Sequence, residues 1–254
     1  LQFHNGQSYV RELWSILAPR SNHVRAVPYM SQNLLEYIEI QTNDKAEFSV
    51  IWLHGLGASG DDFVPVVPEL KLGESPSVRF LFPHAPVRPI TINGGMAMPG
   101  WYDITSLEFD SRQEDEAGIK ESASRVEELI QAEIARGIPA GNILLAGFSQ
   151  GGAIALYTGL TSQHIVGGIL ALSTYLPIHD IALPLITNEH RDIPVFMAHG
   201  QHDDVIQIQY AERSRKVLGG QNIDVDWHTY PMPHSVSPEE ISDIAKWFKE
   251  RMAH

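Results

Sequence analysis

Gly147-Phe148-Ser149-Gln150-Gly151 sets one serine between two glycines, with the apolar run from Leu144 before it and a small-residue run ending at Tyr157 after it. Such flanks predict a strand, a sharp turn and a helix, with the hydroxyl pushed out at the carboxyl edge of a sheet. The plain alternative is a structural glycine-rich turn. A serine hydroxyl is a weak nucleophile until a base removes its proton, so catalysis would require a histidine and an acid to orient it.

On such a turn the chain order is nucleophile, acid, base, with the histidine on a loop before the last helix. His234 in "YPMPHSVSPEE" fits, because Ser237 and Glu240 three residues on can cap the C-terminal helix. His228 lies inside a predicted strand and His199 ends another, positions more usual for structural histidines; His202 reads as a loop residue. For the acid, "HGQHDDV" offers Asp203 and Asp204, and spacing does not choose between them.

The oxyanion formed during acyl transfer needs donors. The backbone N–H of Gln150, at a helix N-terminus, is one. The other belongs on a loop after an early strand, where "WLHGLGASGDDF" places the Leu56 N–H. Gly55, Gly57 and Gly60 also match G-x-G-x-x-G, but a dinucleotide site would want an acidic residue ending the next strand, and "VRFLFP" ends at Pro83 and is followed by His84.

Apolar runs alternating with helical patterns supply the elements that must position these groups, and that rhythm predicts a layered α/β sheet. "LLEYIEIQ" from Leu34 suits an edge strand; buried strands are predicted from Phe48, Val78, Ile143, Gly167 and Ile193, and a last strand from Val225. Helices are predicted over Asp115–Arg136, Gln150–Thr161, Ile206–Leu218 and Pro238–Met252. His84–Ile104, rich in Pro, Gly and Met, fits neither pattern and is expected to be a long irregular loop. Its Met96 and Met98, with Trp101, are candidates for an apolar substrate surface, or simply cover the core.

The chain has 254 residues, 43% of them hydrophobic, enough for one large α/β domain. Residues 1–29 are irregular and expected to be an added or loosely attached extension, with a single domain over 30–254. With 31 acidic against 18 basic side chains, the charge of −13 argues against nucleic acid or anionic membranes as partners. The absence of cysteine removes disulfides, thiolate metal sites and cysteine nucleophiles, and is compatible with the cytoplasm. No run of apolar residues is long enough to span a bilayer, so stable membrane insertion is not expected.

"LHGLG", "GFSQGG", "HGQHDDV" and "MPHS", in this order, resemble the phospholipase/carboxylesterase family of α/β-hydrolases, whose best-known members are the acyl-protein thioesterases. "FPHAP", "WYDI" and "ALSTYLP" agree, and the likeness runs from about Phe48 to the C-terminus. It implies a mostly parallel central sheet with helices on both faces. It implies Ser149 as nucleophile, Asp203 as acid and His234 as base, with Leu56 and Gln150 as oxyanion donors. Asp203 is preferred to Asp204 because the family's acid stands two residues before a valine, in this chain Val205. Gln207 departs from the family's usual proline, and a local change at the following helix start is expected.

The resemblance also implies an apolar channel for an acyl chain, to which the Met96–Trp101 segment would contribute, and no metal or other cofactor. The expected activity is cleavage of carboxylic ester or thioester bonds through an acyl-enzyme, on a small-molecule or lipid-acyl ester or an acylated protein. A lysophospholipase, or a ligand-binding protein that keeps the fold without catalysis, are the rival readings. A homo-oligomer is left open.

Overall fold

The structure, a computed structural model, describes residues 34–73, 76–106 and 114–253; the expected extension over residues 1–29 lies outside them. Within them, strands β1 (Tyr37–Gln41), β2 (Phe48–Leu53) and β3 (Val78–Pro83) come first, with a short helix α1 (Val66–Glu69) between the last two. A hairpin of β4 (Val87–Ile90) and β5 (Met96–Pro99) follows, then the long helix α2 (Glu116–Ala135), β6 (Ile143–Phe148), α3 (Gln150–Thr161) and β7 (Gly168–Leu172). Two short helices, α4 (His179–Ala182) and α5 (Asn188–Arg191), lead to β8 (Val195–Gly200), α6 (Ile208–Gly220), β9 (Val225–Tyr230) and α7 (Pro238–Arg251).

The main sheet has the order β1-β3-β2-β6-β7-β8-β9, and every pairing is parallel except the antiparallel edge strand β1. β2, β3, β6, β7 and β8 are buried and mostly apolar on both faces because both faces are covered, with Ser49, Arg79 and His199 the polar side chains among them. Alternate residues serve different layers. Ile51, Leu53 and Leu145 pack with Ile119, Val126 and Ile130 of α2 and Ile154 of α3. Val50, Trp52, Leu144 and Phe196 face the other way, against Ile244, Trp247 and Phe248 of α7. The helices on both faces are those the sequence resemblance implies.

Local signals set the helix ends. Asp115 caps α2 by accepting the Gly118 N–H at 2.9 Å. Ser237 and Glu240 form the expected capping box at the start of α7, with Pro238 in its first turn. α6 begins at Ile208, two residues later than expected, because the Val205 and Ile206 N–H groups are taken by the Asp203 carboxylate instead. Gln207, the residue before it, has φ −57°, a value proline also adopts, so this departure from the family leaves the backbone path open.

The segment from His84 to Ile104 is not the irregular loop expected. It folds as the β4–β5 hairpin, closed by a helical turn at Thr91–Asn93 and by Gly94 and Gly95 after it, which take φ +66° and +77°. Asp103 ties that turn back to the body, accepting from the Thr91 N–H at 2.7 Å and from Thr91 Oγ1 at 2.6 Å.

From β2 the chain continues to β3 on one side, whereas from β6 it continues to β7 on the other. The carboxyl ends of β2 and β6 therefore flank the point where the winding reverses, which is where a crevice opens in sheets of this kind. β2 runs into His54-Gly55-Leu56 there, and β6 into Ser149.

Candidate active site

Ser149 stands between β6 and α3 with φ 55° and ψ −122°, a conformation that costs a non-glycine residue about 1–3 kcal/mol and persists only where its surroundings hold it. Its N–H donates to Leu172 O at 2.9 Å, and its carbonyl accepts from Thr174 Oγ1 at 2.7 Å and the Ala153 N–H at 3.1 Å. The flanking glycines are required by contact. A Cβ on Gly147 would lie 2.4 Å from the Gly151 carbonyl, and one on Gly151 would lie 2.4 Å from both Leu53 O and His54 O. The sheet, the turn and the helix thus approach as closely as backbone allows.

The loop after β9 carries His234 to the serine. His234 Nε2 is 2.9 Å from Ser149 Oγ, and His234 Nδ1 is 2.7 Å from Asp203 Oδ2. Phe148 packs against the imidazole, ring centroids 4.7 Å apart. Asp203 is held on the turn after β8 by its own Oδ1, which accepts the Val205 N–H at 2.9 Å and the Ile206 N–H at 2.8 Å. Burial alone would raise the Asp203 carboxyl, but hydrogen bonds from His199, His234 and the Ile206 N–H outweigh it and hold the group well below the usual carboxylate range. Asp204 is exposed.

The three groups form one hydrogen-bonded line whose acid stays ionised. With Nδ1–H donated to that carboxylate, Nε2 presents its lone pair to the serine hydroxyl, the arrangement that lets an imidazole take the proton of an attacking alcohol.

The backbone segments that carry the two expected oxyanion donors run beside Ser149. A Cβ on Gly55 would lie 3.5 Å from Ser149 Cβ, so the Gly55–Leu56 backbone passes directly beside the serine. Gln150 is the first residue of α3, where the N–H groups of the opening turn have no intrahelical acceptor and the helix dipole favours negative charge. Its side chain does other work. Gln150 Oε1 accepts the Trp101 N–H at 2.7 Å and Nε2 donates to Tyr102 O at 2.6 Å, which fastens the segment after the hairpin to the serine turn.

The substrate-surface candidates separate. Trp101 is fully buried, its indole N–H donating to His54 O at 2.8 Å, so of the two readings open for it the substrate surface is corrected and the core cover stands. An indole with one polar atom is satisfied best by an interior carbonyl, and this one braces the loop. Met98 is half-buried, with its sulfur 3.6 Å from where a Cβ on Gly57 would stand, beside the loop after β2. Met96 lies at the turn end of the hairpin, paired with Ile90, and is 64% exposed.

Two histidines have contacts that spacing did not disclose. His199, fully buried at the end of β8, directs Nε2 to Ile206 O at 2.7 Å and to Asp203 Oδ2 at 3.3 Å. His54 is buried just past the end of β2, with Nδ1 2.7 Å from Gly55 O and Nε2 accepting the Ala85 N–H at 3.0 Å. The sequence signal for it was the first residue of "HGLG", directly after a strand. His228, within β9, is paired with Asp226 at 2.8 Å and stacked on Phe196. Among the described residues no group of three His, Asp or Glu side chains stands together as a metal site, and no helix is long and apolar enough to cross a membrane.

A mostly parallel sheet covered by helices on both sides, with a serine on a strained turn at the switch point and a histidine on the loop before the last helix, defines an α/β-hydrolase. The crystal structure of Arabidopsis thaliana SOBER1 superposes with a TM-score of 0.77 at 30% identity, over 81% of this chain and 99% of that one. The chain belongs to the phospholipase/carboxylesterase family, whose pattern matches residues 35–251. It is 42% identical over 208 residues to acyl-protein thioesterase 1 of Yarrowia lipolytica, covering 80% of this chain and 92% of that protein. To acyl-protein thioesterase 1 of Cryptococcus neoformans var. neoformans serotype D (strain JEC21 / ATCC MYA-565) it is 38% identical over 234 residues, covering 86% and 98%. The protein is a serine hydrolase of ester or thioester bonds.

Proposed function

We propose that Ser149, His234 and Asp203 are its catalytic triad and that it deacylates substrates through an acyl-enzyme on Ser149. Ser149 Oγ attacks the acyl carbonyl as His234 Nε2 takes the hydroxyl proton. The Leu56 and Gln150 N–H groups receive the oxyanion, and collapse expels an alcohol or thiol that regains its proton from His234. Water then repeats the sequence and releases the carboxylic acid. Asp203 holds the imidazole tautomer and stabilises the imidazolium.

The observation that carries this reading is the unbroken line Ser149 Oγ–His234–Asp203 at 2.9 and 2.7 Å. The likeness to two acyl-protein thioesterases supports an acylated protein as the substrate class, with small acyl esters as surrogates. Met98 beside the oxyanion loop supports an acyl chain running along the β4–β5 hairpin. A charge of −13 argues for substrates other than nucleic acid.

A fluorophosphonate probe tests the assignment. Wild-type protein is expected to label at Ser149 and lose ester turnover, whereas Ser149→Ala neither labels nor turns over while melting at the wild-type temperature. A protein that only held an acyl ligand would not label, and activity retained in the variant would overturn the proposal.

A further inference from the structure

An N–H can stabilise an oxyanion only if its peptide plane is aimed before charge develops, so whatever sets the plane of the Gly55–Leu56 peptide bears on the rate. That unit is trans and planar, with the Gly55 C=O and the Leu56 N–H pointing in opposite directions. Fixing the carbonyl therefore fixes the N–H.

The ring of His54 does this. The Ala85 N–H donates to His54 Nε2 at 3.0 Å, so Nε2 carries no proton. A neutral imidazole then has its hydrogen on Nδ1, and Nδ1–H donates to Gly55 O at 2.7 Å. The ring is almost wholly buried and tilted against Trp101, centroids 5.3 Å apart. Burial lowers its pKa to about 4, which keeps the ring neutral near pH 7.

The neighbouring peptides are held by other groups. The Trp101 indole N–H holds His54 O at 2.8 Å, and the Gly57 N–H donates to Pro99 O at 2.8 Å. Leu56 is wedged from the side, since a Cβ on Gly100 would come within 3.0 Å of its Cδ1.

We propose that His54 is a positioning residue for acyl transfer: its Nδ1–H locks the Gly55 carbonyl and thereby aims the Leu56 N–H at the oxyanion beside Ser149. The inference rests on the reading of Leu56 as a donor given above. Ala85, in the segment after β3, in turn anchors the ring, so the aim of the donor is referred to the end of a sheet strand.

Two substitutions in the full chain separate the ring's two bonds. An asparagine amide reaches as far from Cα as Nδ1, and a glutamine amide as far as Nε2. His54→Asn can still donate to Gly55 O but not accept from Ala85; His54→Gln can accept from Ala85 but not hold Gly55 O. Turnover of p-nitrophenyl butyrate is read with the inhibition constant of a trifluoromethyl ketone, whose adduct with the serine carries an oxyanion.

His54→Gln is expected to lower kcat about 100-fold with KM within about threefold, and to weaken the ketone by a similar factor, the loss typical of one oxyanion donor. His54→Asn is expected to lose no more than about tenfold in either. Equal losses in the two variants, or a loss in His54→Gln that leaves ketone affinity at the wild-type value, would overturn the proposal. Turnover by Ser149→Ala would instead overturn the site reading beneath it, so the two failures are distinguishable.

Discussion

Asp203 Oδ2 lies 2.7 Å from His234 Nδ1, on a carboxylate whose side chain is wholly buried, while Asp204 beside it in the chain faces solvent. Only one of the adjacent acids can therefore orient the imidazole.

Replacing Asp203 with Asn is expected to lower kcat by about 10⁴, because an amide can present N–H to Nδ1 and hold the wrong tautomer. Asp204→Asn should stay within about twofold, as exposed substitutions away from a network usually do. Steady-state kinetics on a p-nitrophenyl ester decide it, and the reverse order would transfer the role to Asp204.

Glu240 makes stability depend on pH in the opposite sense from most carboxylates. Burial raises its pKa from 4.5 to about 8, with Asp243 adding to the rise and the Ser237 N–H opposing it. Below 4.5 it is protonated folded or unfolded and has no effect. Between 4.5 and about 8 the unfolded chain releases the proton first, so stability falls as pH rises through that window. Glu240→Gln, which keeps the capping-box acceptor, is expected to raise the urea midpoint near pH 8 and to leave it little changed near pH 4.5. A midpoint that drops at both pH values would contradict this.

Much of the fold and of the site is legible in the sequence. Buried parallel strands must be apolar on both faces, so β2, β3, β6, β7 and β8 stood out as short apolar runs, and Gly147 and Gly151 mark a crossing that only glycine permits. The β4–β5 hairpin was missed because its four-residue strands each carry a proline and alternate only weakly; Asn93-Gly94-Gly95 was the available turn signal. For Trp101 the sequence leaves substrate surface and core cover equally open, and only the fold discloses that its N–H meets the His54 carbonyl in the interior. The contacts of His54 with Ala85, and of Asp203 with His199, depend on where loops from different strands meet, which spacing along the chain does not encode.

Gly151→Ala should be among the most damaging single-methyl changes. Its Cβ would meet two backbone carbonyl oxygens at 2.4 Å, neither of which can turn aside, so a loss of about 3 kcal/mol or more is expected. Gly219→Ala, near the end of α6, meets nothing within 4 Å and should add about 0.5–1 kcal/mol. Chemical denaturation of both variants checks the pair.

The hairpin reading predicts acyl-chain selectivity. Octanoyl esters are expected to be turned over with a higher kcat/KM than acetyl esters, and Met98→Asp to reduce that ratio by about tenfold, since each buried methylene contributes about 0.8 kcal/mol. A graded series of p-nitrophenyl esters gives the ratio directly. An acetyl preference in the wild type would remove the acyl chain from the hairpin.

The central claim, an acyl-enzyme on Ser149, is tested most directly by intact-protein mass spectrometry after rapid acid quench of the enzyme with an octanoyl thioester. A mass increase of one octanoyl group, mapped to the peptide that holds Ser149 and missing from Ser149→Ala, is the predicted result. Thioester turnover with no adduct on that peptide, or an adduct that persists in Ser149→Ala, would contradict the account.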